Sequence, residues 1–313
     1  MKTTPFFTFS LAALWFGEAV VSAAAFVPGE ILLSNYSVSN VQRYSAAGAL
    51  EQTFTPSGAS GTHWGGASLT PDGNLVTAFT DFVAGIDIFS PEGTLTGVFL
   101  AAPNVSPADV SVFANGTLAL NDGFNASVQL FSQAGTLLST VSMPGVINPF
   151  GNTVGTDNIL YVAGLGSNNL GKVSQTGTFL GTIGLGFSPG DLVMSPNDET
   201  LWISNRSNNS VTHITKTGTV LGNFSTGLTG AFSGIGIAPD GNSLYVTTAS
   251  SSVIRHFDLN GNQLGNINIA SPRSPNFLTV VPAATPEPST LALLLGGVGL
   301  FAGGKRFGRR SSG

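Results

Sequence analysis

Six copies of one short pattern recur along the chain and constrain its fold more than any other feature. An aliphatic residue lies seven positions before a glycine, and an aromatic or β-branched residue lies four positions before it, as Ile254 and Phe257 precede Gly261. These glycines are 45, 42, 42, 41 and 43 residues apart and are Gly48, Gly93, Gly135, Gly177, Gly218 and Gly261. The flanking residues favour pleated strands, and glycine supplies the positive φ of a tight turn. A period of this length filled with strands predicts the blades of a β-propeller.

The repeat predicts an all-β fold, a six-bladed propeller with four-stranded blades, over residues 26–282. Units two to six each open with an innermost strand of their own, whereas in the first unit no strand precedes the one that starts at Glu30. One strand, Asn276 to Val281, is left over at the end of the repeats. We therefore expect this C-terminal strand to be the innermost strand of the first blade, which joins the two ends of the ring.

Two segments carry a family resemblance. Val128-Gln-Leu-Phe131 and Leu244-Tyr-Val-Thr-Thr248 resemble strands of the NHL, YVTN and gluconolactonase-like propellers, and the resemblance extends from about Val27 to Pro282. It implies the propeller fold. It implies little about function, because this architecture supports many unrelated activities.

Composition excludes some classes of function. Charged residues make up 9% of the chain, and there is no cysteine, so neither a disulfide framework nor thiol chemistry is available. Residues 26–284 carry six basic and 14 acidic side chains, a net charge of −8. Without a basic patch to neutralise phosphates, we expect no nucleic-acid binding.

The first 25 residues have the features of a secretory signal peptide. Lys2 precedes an apolar run from Phe6 to Val21, and small residues follow from Ser22 to Ala25. This order of charged, apolar and small residues is typical of a cleaved signal. The alternative is an N-terminal membrane anchor, which is disfavoured by the short run and by Glu18 within it.

Residues 283–313 resemble a PEP-CTERM sorting signal. This signal combines a Pro-Glu-Pro motif, an apolar segment and a basic tail, here Pro286, Glu287 and Pro288, Leu291 to Ala302, and Lys305, Arg306, Arg309 and Arg310. The resemblance implies transient membrane insertion, recognition by an exosortase-type processing enzyme, and display at the surface or in the matrix of a Gram-negative bacterium. The alternative is a permanent tail anchor, its basic end held in the cytoplasm.

Few residues suggest chemistry. His213 and His256 occupy the same strand position in consecutive blades, each five residues before its turn glycine. Equivalent positions in neighbouring blades are at least a sheet spacing apart, so a shared metal is not expected, and packed or rim histidines are the favoured interpretation. His63 falls in a predicted loop and is expected to be exposed to solvent.

Polar residues just before the innermost strands form the one constellation that suggests a ligand. If the blades are aligned at these residues, the set surrounds one mouth of the central channel: Gly66, Asp109, Asn152, Asp191, Gly234 and Asn276. Gluconolactonase-like enzymes bind a divalent cation at this place, so the resemblance implies a calcium site at Asp109, Asn152, Asp191 and Asn276. The glutamate of those enzymes is absent, with Asn276 in its place. The alternative is that these residues cap turns.

Together these features predict an exported, surface-displayed propeller that is not catalytic. It would bind an extracellular partner, either an exopolysaccharide or a surface protein. No catalytic residue set is evident in the sequence. The alternative is a calcium-dependent lactonase-like hydrolase, which would use the predicted cation site.

Overall fold

The computed structural model of the chain describes residues 25–55, 63–80, 84–102, 104–230 and 233–283. Within these residues all regular structure is β-strand, and no helix is long and apolar enough to cross a membrane. The predicted signal peptide and the predicted sorting signal lie outside the described residues, apart from Ala25 and Ala283.

The strands follow one another in hairpins, as the repeat predicts. The first three strands are β1 (Ile31–Asn35), β2 (Asn40–Tyr44) and β3 (Leu50–Phe54). The next two units are β4 (His63–Leu69), β5 (Leu75–Thr80), β6 (Gly85–Phe89) and β7 (Leu95–Leu100), then β8 (Pro107–Val112), β9 (Leu118–Asp122), β10 (Ser127–Phe131) and β11 (Leu137–Ser142).

The remaining units repeat this arrangement. They are β12 (Pro149–Val154), β13 (Ile159–Gly164), β14 (Asn169–Ser174) and β15 (Phe179–Gly184), then β16 (Pro189–Met194), β17 (Leu201–Asn205), β18 (Ser210–Ile214) and β19 (Val220–Ser225), then β20 (Ser233–Ile237), β21 (Ser243–Thr248), β22 (Val253–Asp258) and β23 (Gln263–Asn268). The last strand is β24 (Pro275–Val280).

The strands form six four-stranded antiparallel sheets, which are the blades of a six-bladed propeller. Blades two to six each contain four consecutive strands, whereas blade one has the order β24-β1-β2-β3. The predicted closure by the C-terminal strand is confirmed, with bounds one residue earlier than expected. Leu278 of β24 pairs opposite Leu33 of β1, so the last strand supplies the inner edge of the first blade.

The turn between the third and fourth strands has the same form in every blade. All six repeat glycines have φ between +80° and +92°. The register shifts by one residue just before each of these turns, for example between Arg43 and Tyr44. A glycine in the left-handed region next to such a shift is a G1-type bulge, which strengthens the local twist of a hairpin. The glycines are therefore required by backbone geometry.

The hydrophobic core is divided into six clusters, and each one lies between two neighbouring blades. One example joins blade three to blade four through Val128, Leu130, Leu160 and Val162. The cluster that closes the ring packs Tyr245 and Ile254 of blade six against residues of blade one, including Leu278. Because each fully buried aliphatic side chain contributes about 1.5–3 kcal/mol, the ring is stabilised by contacts around its whole circumference.

Candidate functional site

The strand ladders fix which residues of the six innermost strands are equivalent. The residues that pair opposite the same position of the second strand are Ala67, Val110, Asn152, Leu192, Ile235 and Leu278. We call the residue directly before each of these the axial position of its blade. The axial residues are Gly66, Asp109, Gly151, Asp191, Gly234 and Phe277. Around the ring, glycine therefore alternates with a larger residue, which is aspartate twice and phenylalanine once.

The predicted alignment was correct for Asp109 and Asp191 and wrong for the two asparagines. Asn152 lies one residue after the axial position of its blade, and Asn276 lies one residue before Phe277, the axial residue of blade one. Asn152 instead occupies the position at which other blades bury an apolar side chain, such as Val110. A shift of one residue moves a strand side chain to the other face. The polar residue types alone did not reveal this register.

Asp109 and Asp191 bind backbone donors of the innermost strands. Asp109 accepts from its neighbour Val110 N at 2.8 Å and from Asn152 N of the next blade at 2.7 Å. Asp191 accepts from Leu192 N at 2.8 Å and from Ile235 N of the next blade at 3.1 Å. The axial edge of a propeller sheet has no further strand to pair with, so buried N–H groups there need other acceptors. The two carboxyl groups supply them and tie adjacent blades together.

The axial glycines make room for these side chains. A Cβ atom built on Gly66 would overlap Oδ1 of Asp109, and one built on Gly151 would lie 2.5 Å from Cα of Asp191. The approach is too close for any side chain at these positions. The alternation of glycine and aspartate is therefore a packing requirement of the channel.

Burial changes the acidity of both carboxyl groups. It raises the pKa of Asp109 to about 8, against the smaller opposing effect of the N–H donors of Asn152 and Val110. Burial also raises the pKa of Asp191 well above its usual range, and the charge of Asp109 raises it further. Two carboxyl groups that interact in a desolvated channel cannot both be ionised without a large cost. The pair therefore holds protons near neutral pH.

These facts bear on the predicted calcium site. Of its four residues, only Asp109 and Asp191 occupy equivalent axial positions, and each of their four carboxyl oxygens accepts a hydrogen bond from a backbone N–H group. The N–H groups already occupy these oxygens and point their positive ends at the place where a cation would bind. Calcium would also have to displace the protons that the two carboxyl groups hold, so the arrangement fits calcium poorly. Within the described ranges, no three His, Asp or Glu side chains come together as a metal site.

A funnel opens at the face of the ring where the innermost strands begin. The turns between second and third strands lie at the same face, and both kinds of segment line a cavity of about 480 Å³. This size falls in the ~300–1,000 Å³ typical of small-ligand sites. Among the described lining residues there is no Asp, Glu, His, Lys or Arg. The described lining of the funnel is therefore uncharged, and it combines apolar side chains with hydroxyl and amide groups such as those of Thr80, Ser106 and Asn276.

Two phenylalanines form the floor of the funnel. Phe150 of blade four and Phe277 of blade one come from opposite sides of the ring, and their ring centroids are 4.9 Å apart. The guanidinium of Arg206 lies 5.6 Å from the Phe150 centroid. Since Phe277 is 2% exposed, the pair closes the axis at this level. The funnel is thus a blind cavity. The carboxyl groups of Asp109 and Asp191 belong to the innermost strands, at the axial position that Phe277 occupies in blade one.

Asn276 and two rim aromatics complete the funnel. Asn276 lines the cavity next to Phe277, is 4% exposed, and has no hydrogen-bond partner for its Oδ1 atom. Tyr36 and Phe124 lie on turns at the rim and are 39% and 82% exposed. Sequence reasoning did identify Asn276, although for a metal. The sequence did not indicate Phe150, Phe277 or the rim residues. An apolar residue near the start of a strand looks the same in the sequence whether it lies at the floor of a channel or in the hydrophobic core.

The histidines are packed, as the sequence analysis favoured. His213 stacks on Trp202 with centroids 3.8 Å apart, and His256 stacks on Tyr245 at 4.3 Å. Each pair consists of cross-strand neighbours in the second and third strands. Burial lowers the pKa of both imidazoles, so they are neutral at pH 7. His63 was predicted in a loop, but it begins β4 and its backbone pairs opposite Thr80, so that prediction is wrong; the placement of its side chain is not described.

The fold and its blind funnel define the chain as a six-bladed β-propeller, and comparison with solved structures agrees. It is similar to the structure of a nidogen/laminin complex (TM-score 0.66, 15% identity, 82% of this chain and 99% of that chain). It is also similar to virginiamycin B lyase from Staphylococcus aureus (TM-score 0.62, 16% identity, 81% and 86%) and to a Bacteroides caccae protein of unknown function (TM-score 0.65, 9% identity, 82% and 99%). The sequence matches no established family and no curated protein. At these identities the likeness concerns the fold alone.

Proposed function

We propose that this protein is an exported, surface-displayed propeller that binds an extracellular partner at the funnel without converting it. The observation that carries the proposal is the cavity of about 480 Å³ with an aromatic floor and with no Asp, Glu, His, Lys or Arg among its described lining residues. General acid–base catalysis near neutral pH most often uses His, Asp, Glu or Lys, and a Ser or Thr nucleophile needs such a base beside it. A neutral aromatic cavity is better suited to recognition.

The cellular location of the protein is part of the same proposal. Residues 1–25 would direct export, and residues 283–313 would hold the chain in the membrane until an exosortase-type enzyme processes it. The propeller would then be displayed at the surface or in the matrix of a Gram-negative cell. Among the structural neighbours, a nidogen/laminin complex is a protein assembly and virginiamycin B lyase is an enzyme, so both functions occur on similar folds.

A binding experiment tests the proposal. Isolated exopolysaccharide and surface protein are passed over the immobilised chain, and the response is compared with that of Ala249→Trp, which places a large side chain at the funnel wall. Ala134→Trp is the matched control, because Ala134 is exposed in a turn between third and fourth strands, at the opposite face. We expect Ala249→Trp to abolish binding and Ala134→Trp to preserve it. Absence of any partner, together with turnover of lactones, would overturn the proposal.

The second candidate is a calcium-dependent lactonase-like hydrolase. The observation in its favour is that two carboxyl groups, those of Asp109 and Asp191, occupy equivalent axial positions of the ring. If a cation binds there, millimolar calcium raises the melting temperature, since a ligand held only by the folded state stabilises it. Asp191→Asn should abolish that rise. An unchanged melting curve with and without calcium removes the metal site and the hydrolase with it.

A further inference from the structure

The funnel also indicates what kind of molecule it takes. We infer that it binds the terminal sugar units of a neutral glycan end-on, an inference that rests on the proposed function and deepens it. Three properties of the cavity lead there: its closed floor, its aromatic surfaces and its uncharged lining with one unsatisfied amide oxygen.

The closed floor determines the direction of binding. Because Phe150 and Phe277 meet across the axis at 4.9 Å, no chain can thread through the ring at this level. A polymer can therefore enter the cavity only with an end. The volume of about 480 Å³ accommodates a small ligand or the last units of a longer one.

The aromatic surfaces match the flat apolar faces of pyranose rings. Phe150 lies at the floor, backed by the buried ring of Phe277, and Phe124 and Tyr36 stand exposed at the rim. An aromatic ring contributes a large apolar area whose geometry is fixed, which suits stacking against C–H groups. A side chain as exposed as Phe124, at 82%, gains burial when a ligand covers it.

The amide and the neutral lining select hydroxyl groups over charged groups. A buried acceptor without a partner costs about 1–3 kcal/mol, and a ligand that donates to it recovers that energy. Oδ1 of Asn276 is such an acceptor, and the soft χ2 torsion of asparagine allows its amide to turn towards the cavity. With no Asp, Glu, His, Lys or Arg among the described lining residues, no charged side chain of that lining compensates for the desolvation of a uronate or an amino sugar.

The test uses the full-length chain in a detergent without a sugar headgroup. Saturation-transfer NMR is recorded with maltose, cellobiose, lactose and a glucuronate-containing disaccharide, and affinities are measured by calorimetry. We expect saturable binding of at least one neutral disaccharide and none of the acidic one. Phe124→Ala and Asn276→Ala should each weaken binding roughly tenfold, as expected for the loss of one stacking or hydrogen-bonding partner. Phe124→Ala changes an exposed residue, so its effect does not depend on the stability of the fold.

The controls separate this inference from the proposed function. Asn260→Ala, at an exposed turn on the opposite face, should leave affinity unchanged. A neutral polysaccharide shortened by partial hydrolysis should bind better than the intact polymer at equal mass, because it offers more ends. Binding only of acidic sugars or of a protein, or equal binding of intact and shortened polymer, overturns the end-on neutral-glycan inference while the binding function stands. Failure of all partners overturns both.

Discussion

The axial carboxyl pair should make the stability of the propeller fall as the pH rises. The pKa of Asp109 is about 8 in the folded protein, against an ordinary value of 3.8. The folded state therefore keeps a proton that the unfolded chain has released. The stabilisation is complete below about pH 4 and is lost progressively up to about pH 8, because the folded state binds more protons than the unfolded state in this window. Asp191, whose pKa is also raised, acts in the same direction.

The size of the effect follows from the difference in pKa. At about 1.4 kcal/mol per pKa unit, a gap of about four units corresponds to roughly 5 kcal/mol of unfolding free energy. This is comparable with the ~5–15 kcal/mol total stability of a typical domain. The protein should therefore be markedly less stable at pH 8 than at pH 5.

The substitution Asp109→Asn isolates this contribution. The amide keeps one acceptor oxygen, but its NH₂ group faces one of the two backbone donors, Val110 N or Asn152 N. Leaving that donor unsatisfied costs about 1–3 kcal/mol at every pH. At pH 5 the variant should therefore be less stable than the wild type. At pH 8 the order should reverse, because the three pH units from pH 5 to pH 8, at about 1.4 kcal/mol each, remove roughly 4 kcal/mol from the wild type that the variant does not lose.

Urea denaturation followed by tryptophan fluorescence at pH 5, 6, 7 and 8 measures the unfolding free energy of both proteins. Asp72→Asn is the control, since Asp72 is exposed in a turn of blade two, and its profile should run parallel to the wild type. The profiles of wild type and Asp109→Asn should cross. If these two profiles run parallel instead, Asp109 does not carry a proton in the folded state and the reasoning fails.

Three further predictions concern packing, closure and processing. Gly66→Ala should lower the unfolding free energy by about 1–3 kcal/mol, because the new methyl overlaps Oδ1 of Asp109; Gly184→Ala, with open space around it, should change the denaturation midpoint little. A chain truncated after Arg273 lacks β24 and should fail to give a cooperative thermal transition, and a melting curve like that of the intact protein would contradict the closure role of β24. Mature protein from the native host should lack about the first 25 residues and the tail beyond the Pro-Glu-Pro motif by intact mass, whereas recovery of Arg310 on the mature chain would indicate a permanent anchor.

The repeat could be read from the sequence because its signals are local. An aliphatic residue, an aromatic or β-branched residue and a glycine at fixed offsets describe one hairpin, and the hairpin recurs at a constant period. Gly261 illustrates this, since its φ of +86° is what the turn requires. The number of blades and the closure by β24 followed by counting the strands, without reference to contacts between distant parts of the chain.

The site could be predicted only in part. The sequence drew attention to Asp109, Asp191 and Asn276, because they come just before the predicted innermost strands, where the resemblance to gluconolactonase-like propellers implies a cation site. It did not reveal the register of Asn152 and Asn276, since a bulge near the start of an innermost strand changes the side-chain face without changing the polarity pattern. Asn152 was therefore assigned to the wrong position.

The sequence by itself determined the class of fold and the turn glycines, because each depends on residues close together in the chain. It also determined the closing strand, because one strand was left over once the strands of each blade were counted. The tertiary structure alone decided what fills the axis. Phe150 and Phe277 meet there although they belong to opposite blades, and Gly66 is required by a carboxyl group of the neighbouring blade. Contacts of this kind depend on how six sheets pack around a common axis, and that geometry exists only once the ring is closed.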